Sequence, residues 1–359
     1  MSAQRAERLA TLAVEAQLDA LLVSNLINLR YLTGFTGTNG LALVGPGIRS
    51  FMTDFRYVER AAEEVADFDR VRAPQGELAE AVIALLPARR PLRLGFDDAH
   101  VTVKNHARLA ERLPERVELV PAAGLVERLR AVKDPAELER IGEAAKLADA
   151  AFAAVVEQGI AGRTEREVAL ALEDHMRHGG AEEPSFPSIV ATGAHGALPH
   201  AEPRREPIPP GTLVVVDWGA KVDGYCSDCT RTVATGALDV EADEVYALVK
   251  RAQQAALEAV RPGPEGREVD VIAREMIEEA GHGERFGHGL GHGVGLEVHE
   301  GPRLAKSGAE PLRAGNVVTV EPGVYVPGSF GVRIEDLVVV TEDGTRVLSS
   351  VTKELMTVG

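Results

Sequence analysis

The feature that most restricts what this chain can fold into is a pair of similar segments. PGTLVVVDWGA at 210 to 220 parallels AGNVVTVEPGV at 314 to 324, an offset of 104 residues, and each copy ends a strand-length apolar run with a carboxylate, Asp217 or Glu321. The agreement continues on either side. GYCSD at 224 to 228 matches GVRIE at 331 to 335 and sets Asp228 opposite Glu335; LPHAEP at 198 to 203 resembles EVHEGP at 297 to 302 and sets His200 opposite His299. EREV at 165 to 168 and GREV at 266 to 269 each follow a Gly-containing turn and open a helix. Two copies are too few for a solenoid. The expectation is one α+β domain of two facing halves related by an internal pseudo-twofold, with the acids converging where the halves meet.

Asp217 and Glu321 sit at the ends of strands that read as buried, and an isolated buried carboxylate is very costly unless it is paired, hydrogen-bonded or metal-bound. One acid alone is explained by a turn or a salt bridge. Four acids in repeated contexts are a different matter. GHGLGHGVGLEVHE, at 287 to 300, adds three histidines on a glycine-rich backbone unsuited to a helix. With His292 the acids form a five-donor set, Asp217, Asp228, His292, Glu321 and Glu335, whose hard oxygens favour Mn²⁺ and tolerate Co²⁺, Fe²⁺ or Zn²⁺. Two divalent ions sharing a water would generate a hydroxide nucleophile, so the implied chemistry is hydrolysis.

The 359 residues leave room for a second domain. Upstream of the repeat, helical and strand patterns alternate, with helices near 3 to 16, 56 to 66, 76 to 86 and 102 to 112. A smaller α/β domain is expected over 1–125, with the catalytic domain over 126–359; Asp134 and Pro135 have the chemistry of a helix cap and first turn. The net charge of −16 argues against nucleic acid or an anionic membrane. No apolar run approaches membrane-spanning length, and the first residues lack the pattern of an export signal, so a cytoplasmic protein is expected. Cys226 and Cys229 in YCSDCTRT are expected as two reduced structural thiols on opposite faces of a strand. Trp218 is expected to support the strand that carries Asp217. His100, His106, His175, His178, His195 and His282 match no pattern and read as surface residues.

In this order and spacing, LPHAEP, VVVDWGAKVDGYCSDCTRT, GHGLGHGVGLEVHE, TVEPGVY and GVRIED resemble the catalytic domain of the proline-specific metallopeptidases, X-Pro dipeptidase (prolidase) and aminopeptidase P. NLRYLTGFTGTNG and FMTDFRYVERA resemble their amino-terminal domain, so the resemblance covers the whole chain. It implies a pita-bread catalytic domain preceded by a smaller α/β domain, and a homodimer. It implies Asp217, Asp228, His292, Glu321 and Glu335 as ligands of two divalent ions, with Asp228 and Glu335 bridging. It assigns His200, His288 and His299 to substrate binding and to the oxyanion of the tetrahedral intermediate. The substrates implied are peptides with proline in second place.

Two roles go beyond the ligand pattern. Glu321 is a candidate proton acceptor for the attacking water. Arg333, two residues before Glu335 on a strand, is expected to project into the same cleft, either as a clamp on the free carboxylate of an X-Pro dipeptide or as a counter-ion to the acids. Three rival readings are weaker. A creatinase-like, metal-free hydrolase of a small guanidino substrate and an inert binding protein of the same fold are both disfavoured by the intact donor set. Methionine aminopeptidase is disfavoured by the additional amino-terminal domain.

Overall fold

The computed structural model describes residues 2–74, 78–87 and 91–359. It divides into two compact units, Met1–Arg130 and Ala131–Gly359.

The first unit is an α/β domain. In chain order it contains α1 (Ser2–Glu15), β1 (Ala20–Val23), α2 (Leu26–Thr33), β2 (Leu41–Gly45), β3 (Ile48–Thr53), α3 (Val58–Glu64), β4 (Asp69–Arg72), α4 (Leu78–Leu85), β5 (Leu92–Phe96), α5 (Val103–Arg112), β6 (Val117–Pro121) and α6 (Leu125–Arg130). The strands form one sheet in the order β4-β3-β2-β1-β5-β6, antiparallel at β1–β2 and β2–β3 and parallel elsewhere. Leu22, Leu43, Met52 and Leu94 fill the core on this sheet. The expected start of α4, at 76 and 77, lies outside the described residues. Helix α2 has no counterpart in the sequence reading. It is two turns long, and its stability comes from Asn25, whose side chain accepts from the backbone N–H of Ile27 and Asn28. The division between the units falls after α6, because that helix is joined to the first unit through the bond from Arg130 to Asn28.

The second unit opens with α7 (Pro135–Glu157), where Asp134 and Glu137 form a complete capping box with Pro135 at the first helical position between them. There follow α8 (Glu165–His178), β7 (Glu183–Pro184), β8 (Ile189–Thr192), β9 (Leu213–Trp218), β10 (Ala220–Val222), β11 (Tyr225–Cys226), β12 (Cys229–Ala234) and α9 (Val240–Ala259). The chain continues through α10 (Gly266–Glu279), β13 (Gly291–Gly293), β14 (Glu300–Leu304), β15 (Val317–Val320), β16 (Gly323–Val326), β17 (Phe330–Arg333), β18 (Asp336–Val340) and β19 (Thr345–Val347).

The repeat is visible in three dimensions. One half builds the sheet β12-β9-β8 and the other the sheet β14-β13-β15-β18-β19, all pairings antiparallel. Helices α7 and α8 pack together in one half, as α9 and α10 do in the other. Thr164 and Glu265 open α8 and α10 with capping boxes, and the same two residues bridge to Pro207 and Pro311, a pair offset by the same 104 residues as the strands. Each half therefore closes on itself in the same way.

Trp218 performs the packing expected of it. Its ring stacks on Phe152 of α7 with centroids 4.2 Å apart, and its indole N–H donates to Ala148 O at 2.7 Å. Behind the join of the two halves lies a buried ion pair. Arg231 of β12 donates to Asp336 of β18 at 2.8 Å, and Asp336 also receives Gln253 at 3.0 Å and Lys353 at 2.8 Å. Arg231 further donates to the backbone carbonyls of Thr230, Glu335 and Thr352, so one guanidinium ties both halves and the C-terminal segment. Asp336→Ala strands that buried cation. It is expected to cost about 3–5 kcal/mol of unfolding free energy in urea, whereas the double variant Arg231→Met/Asp336→Leu recovers most of the loss. A single-variant cost within experimental error of zero would rule out this tie as a main support.

Candidate active site

Each acid of the repeat lies where a strand stops. Asp217 occupies the next-to-last position of β9, opposite Thr230 of β12, and Glu321 follows β15 directly. Asp228 lies between β11 and β12, and Glu335 between β17 and β18. YCSDCT is thus two strands broken at Ser227 and Asp228 rather than one, and the break brings Asp228 into the site. Cys226 and Cys229 flank the break as buried free thiols. Burial pushes Cys226 up to about 11 and Cys229 well above the ordinary thiol range, so both stay protonated.

Carboxylate oxygens of Asp217, Asp228 and Glu335 all lie within 4.8 Å of one another. His292 Nε2 stands 3.1 Å from Glu321 Oε1 and 3.6 Å from Asp228 Oδ2. The five residues share the wall of one cavity of about 670 Å³ with His200, His288, His299 and Arg333. All nine residues singled out from the sequence therefore meet in one place. A larger cavity, of about 810 Å³, lies in the first unit, but its lining includes exposed residues such as Glu7, Thr11 and Val14 and no buried carboxylate among the described residues.

The glycines beside His292 are required by close packing. A Cβ on Gly291 would lie 2.0 Å from Thr319 O, and one on Gly293 would lie 2.1 Å from Gly301 O. Larger residues would push β13 away from both its neighbours and take His292 with it.

The donor chemistry of this set fits divalent cations. Asp217 Oδ1 and Glu335 Oε1 are buried and accept no hydrogen bond among the described residues, a state that is costly for a carboxylate without a counter-charge. Burial holds Asp217 above the ordinary carboxylate range despite Arg333. Burial and the neighbouring acids push Asp228 and Glu335 well above it. Glu321 behaves differently. Burial would raise it, but the bond from His292 and the other cations nearby more than offset this and bring it down to about 2. Burial likewise disfavours the His292 cation, and Glu321 reverses that effect.

Three assignments change on this geometry. Arg333 is buried and donates to Asp217 Oδ2 at 2.6 Å, Thr230 Oγ1 at 3.0 Å, Tyr325 Oη at 2.9 Å and Pro199 O at 3.2 Å. A bidentate clamp needs two free N–H groups and these bonds leave one, so the counter-ion reading holds in its place. His288 has both ring nitrogens engaged, Nδ1 with Gly289 O at 2.7 Å and Nε2 with Tyr325 Oη at 2.9 Å, and does not offer a free donor to a substrate. His195, read from the sequence as a surface residue, has a side chain only 9% exposed and pairs with buried Glu165. Of the other five, His100 and His178 are exposed and His106, His175 and His282 half-buried.

His200 and His299 are the exposed histidines of the cavity, and the His299 ring packs against His292 with centroids 4.3 Å apart. Partial desolvation by the cavity wall, followed by the neighbouring His292, lowers the pKa of His299. Arg303 on β14 was not singled out from the sequence. It lines the cavity, is exposed and forms no ion pair among the described residues. Its only sequence signal is a position four residues beyond His299.

Because three of the acids hold protons more tightly than free carboxylates do, a cation entering the site must displace them. Affinity for a divalent ion is expected to rise with pH above the ordinary carboxylate range, near 4. Binding is expected to release protons, seen as a calorimetric enthalpy that depends on the ionisation heat of the buffer. A binding heat identical in two such buffers at one pH would contradict the raised acids.

Comparison with known proteins places both units of the chain in known families. The model for metallopeptidase family M24 matches residues 139–342, and the model for the creatinase/prolidase N-terminal domain matches residues 5–132. A protein of Pyrococcus furiosus named Xaa-Pro dipeptidase is 35% identical over 98% of this chain and 99% of its own. Among solved structures, an Xaa-Pro dipeptidase from Bacillus anthracis is 39% identical with a TM-score of 0.95, covering 99% of this chain and 100% of that one. An X-Pro aminopeptidase from Thermotoga maritima is 36% identical with a TM-score of 0.87 at the same coverage. With its repeated carboxylates gathered in one cavity and both of its units matched, the chain belongs to metallopeptidase family M24.

Proposed function

We propose that this protein is a metallopeptidase that hydrolyses the bond between an N-terminal residue and a following proline. The observation that carries the reading is the buried cluster of Asp217, Asp228 and Glu335, with His292 and Glu321 beside it, in a chain related over nearly its full length to proteins named for X-Pro cleavage. A metal-free hydrolase of a small substrate and an inert binding protein are not favoured, since every donor of the set is present.

Asp217, Asp228, His292, Glu321 and Glu335 would hold two divalent ions, with Asp228 and Glu335 reaching both. When bound, the ions supply Lewis acidity and make water a nucleophile at neutral pH. The oxygen-rich donors support Mn²⁺. A homodimer and a cytoplasmic setting complete the reading and rest on the resemblance and on the sequence; among the described residues no helix is long and apolar enough to cross a membrane.

The other cavity residues have separable tasks. Glu321, ionised at neutral pH, takes up the proton of the attacking water. His299 and His200 present ring N–H groups to the oxygen of the scissile carbonyl as it gains charge, an interaction that typically contributes about 10²- to 10³-fold in rate. Arg333 stays with Asp217, holding one ligand oxygen while leaving Oδ1 free.

Asp228→Asn, which removes charge from a position shared by both ions, is expected to abolish hydrolysis of an X-Pro dipeptide with the fold retained by circular dichroism. Turnover close to that of the unmodified protein after dialysis against chelator would sink the two-ion reading. Arg303 bears on substrate length, because an exposed guanidinium on the cavity wall suits the free carboxylate of a dipeptide. Arg303→Met is expected to lower kcat/KM for an X-Pro dipeptide about 10- to 100-fold and to leave the same dipeptide with an amidated C-terminus nearly unaffected. Equal losses on both substrates would remove Arg303 from this role and favour longer peptides, which reach past it.

A further inference from the structure

Outside the metal site, each half of the second unit holds a buried carboxylate that no ligand role uses. Glu165, the first residue of α8, is fully buried. Its oxygens accept the backbone N–H of Thr192 at 2.8 Å and of Arg204 at 2.8 Å, His195 Nδ1 at 2.9 Å, and the Arg204 guanidinium at 3.4 Å. These partners bracket the segment 192 to 204, and His200 lies within it. The segment is fastened further by Arg166 N–H donating to Arg204 O at 3.0 Å and by Arg333 donating to Pro199 O at 3.2 Å. His200 itself has no hydrogen-bond partner among the described residues, so its direction is set by the backbone that carries it. The other half uses the same device. Asp270 of α10 accepts Leu290 N–H at 2.9 Å and pairs with Arg274, which donates to Phe286 O at 2.9 Å and His288 O at 2.8 Å, fastening the segment that bears His288.

We propose that Glu165 is a positioning residue for His200: by holding His195 and both ends of the 192–204 segment, it aims the His200 ring into the cavity. The proposal rests on the reading above, in which His200 acts on the substrate. A carboxylate at this point can do so because one side chain supplies acceptors for two backbone N–H groups, an imidazole and a guanidinium, charge-assisted bonds that are shorter and stronger than neutral ones. Loss of these bonds loosens the segment around His195 and Arg204, while the pairing of Thr192 with β9 and the pairing of β15 remain.

The test is a double-variant cycle on the metal-loaded protein with an X-Pro dipeptide, reading kcat/KM, metal content and Tm. Glu165→Gln is expected to lower kcat/KM about 10- to 100-fold, as partners of a site residue commonly do, with metal content unchanged. In a His200→Ala background the same substitution is expected to cost less than about twofold, because its effect passes through His200. Asp270→Asn serves as the control, and its loss is expected to multiply in full with His200→Ala. If Glu165→Gln and His200→Ala also multiply in full, Glu165 acts on the fold and the positioning role is overturned. If Glu165→Gln does not fold, His195→Leu removes one arm, leaves the backbone bonds, and decides the question through the same cycle. A His200→Ala variant with undiminished turnover would instead refute the role of His200 itself, and the positioning proposal with it; the metal-dependent activity would stand.

Discussion

Four carboxylates gather around one cavity in this molecule, three of them buried and Glu321 half-buried, and most of the surrounding structure answers to that fact. Asp217, Asp228, Glu321 and Glu335 lie in an interior where unpaired charge is strongly penalised, and each half of the repeat delivers two of them. Protein groups compensate only part of the charge. Arg333 takes one oxygen of Asp217, Thr230 takes one of Glu335, and His292 pairs with Glu321. Asp217 Oδ1 and Glu335 Oε1 are left without a hydrogen-bond partner among the described residues, and divalent cations would complete the charge balance there. The fold thus closes around a site deficient in positive charge, and the same deficiency would favour divalent ions there.

The strands alone do not hold such a site open. The acids sit at strand ends and strand breaks, where side chains leave the sheet and point to a common centre, and the backbone there is packed closely enough that Gly291 and Gly293 admit no Cβ. Behind them, Arg231 and Asp336 lock the two halves together. At the rim, Glu165 in one half and Asp270 in the other fasten the segments that carry cavity histidines. The internal repeat therefore extends beyond the ligands to their supports, although the residues used in the two supports differ and the sequence repeat does not show the relation.

The fate of Arg333 illustrates where reasoning from a strand pattern ends. Alternation along GVRIED was enough to bring Arg333 to the cavity wall. It could not tell that Tyr325, Pro199, Thr230 and Asp217, contributed by separate parts of the chain, would converge on the guanidinium and use nearly all of its donors. His195 is the opposite case. Alone among glycines and alanines it read as a surface residue, yet it is half-buried and pairs with Glu165, 30 residues earlier, across the helix end.

What the sequence determined by itself was which acids and histidines gather in one cavity and the division of the second unit into two halves. Both follow from local chemistry: an apolar strand that ends in an acid, repeated at a constant offset, has few other uses, and Trp218, the capped start of α7, the opening of α8 and the reduced thiols were legible for the same reason. Tertiary structure decided which of the gathered side chains remain free to act. His200, His299 and Arg303 face the cavity with exposed side chains, whereas Arg333 and His288 are committed to neighbours. That distinction depends on hydrogen bonds such as those of Arg333 to Tyr325, 8 positions away, and to Pro199, 134 positions away, and no local pattern encodes them, because a donor is claimed by whichever acceptor the packed chain brings within reach.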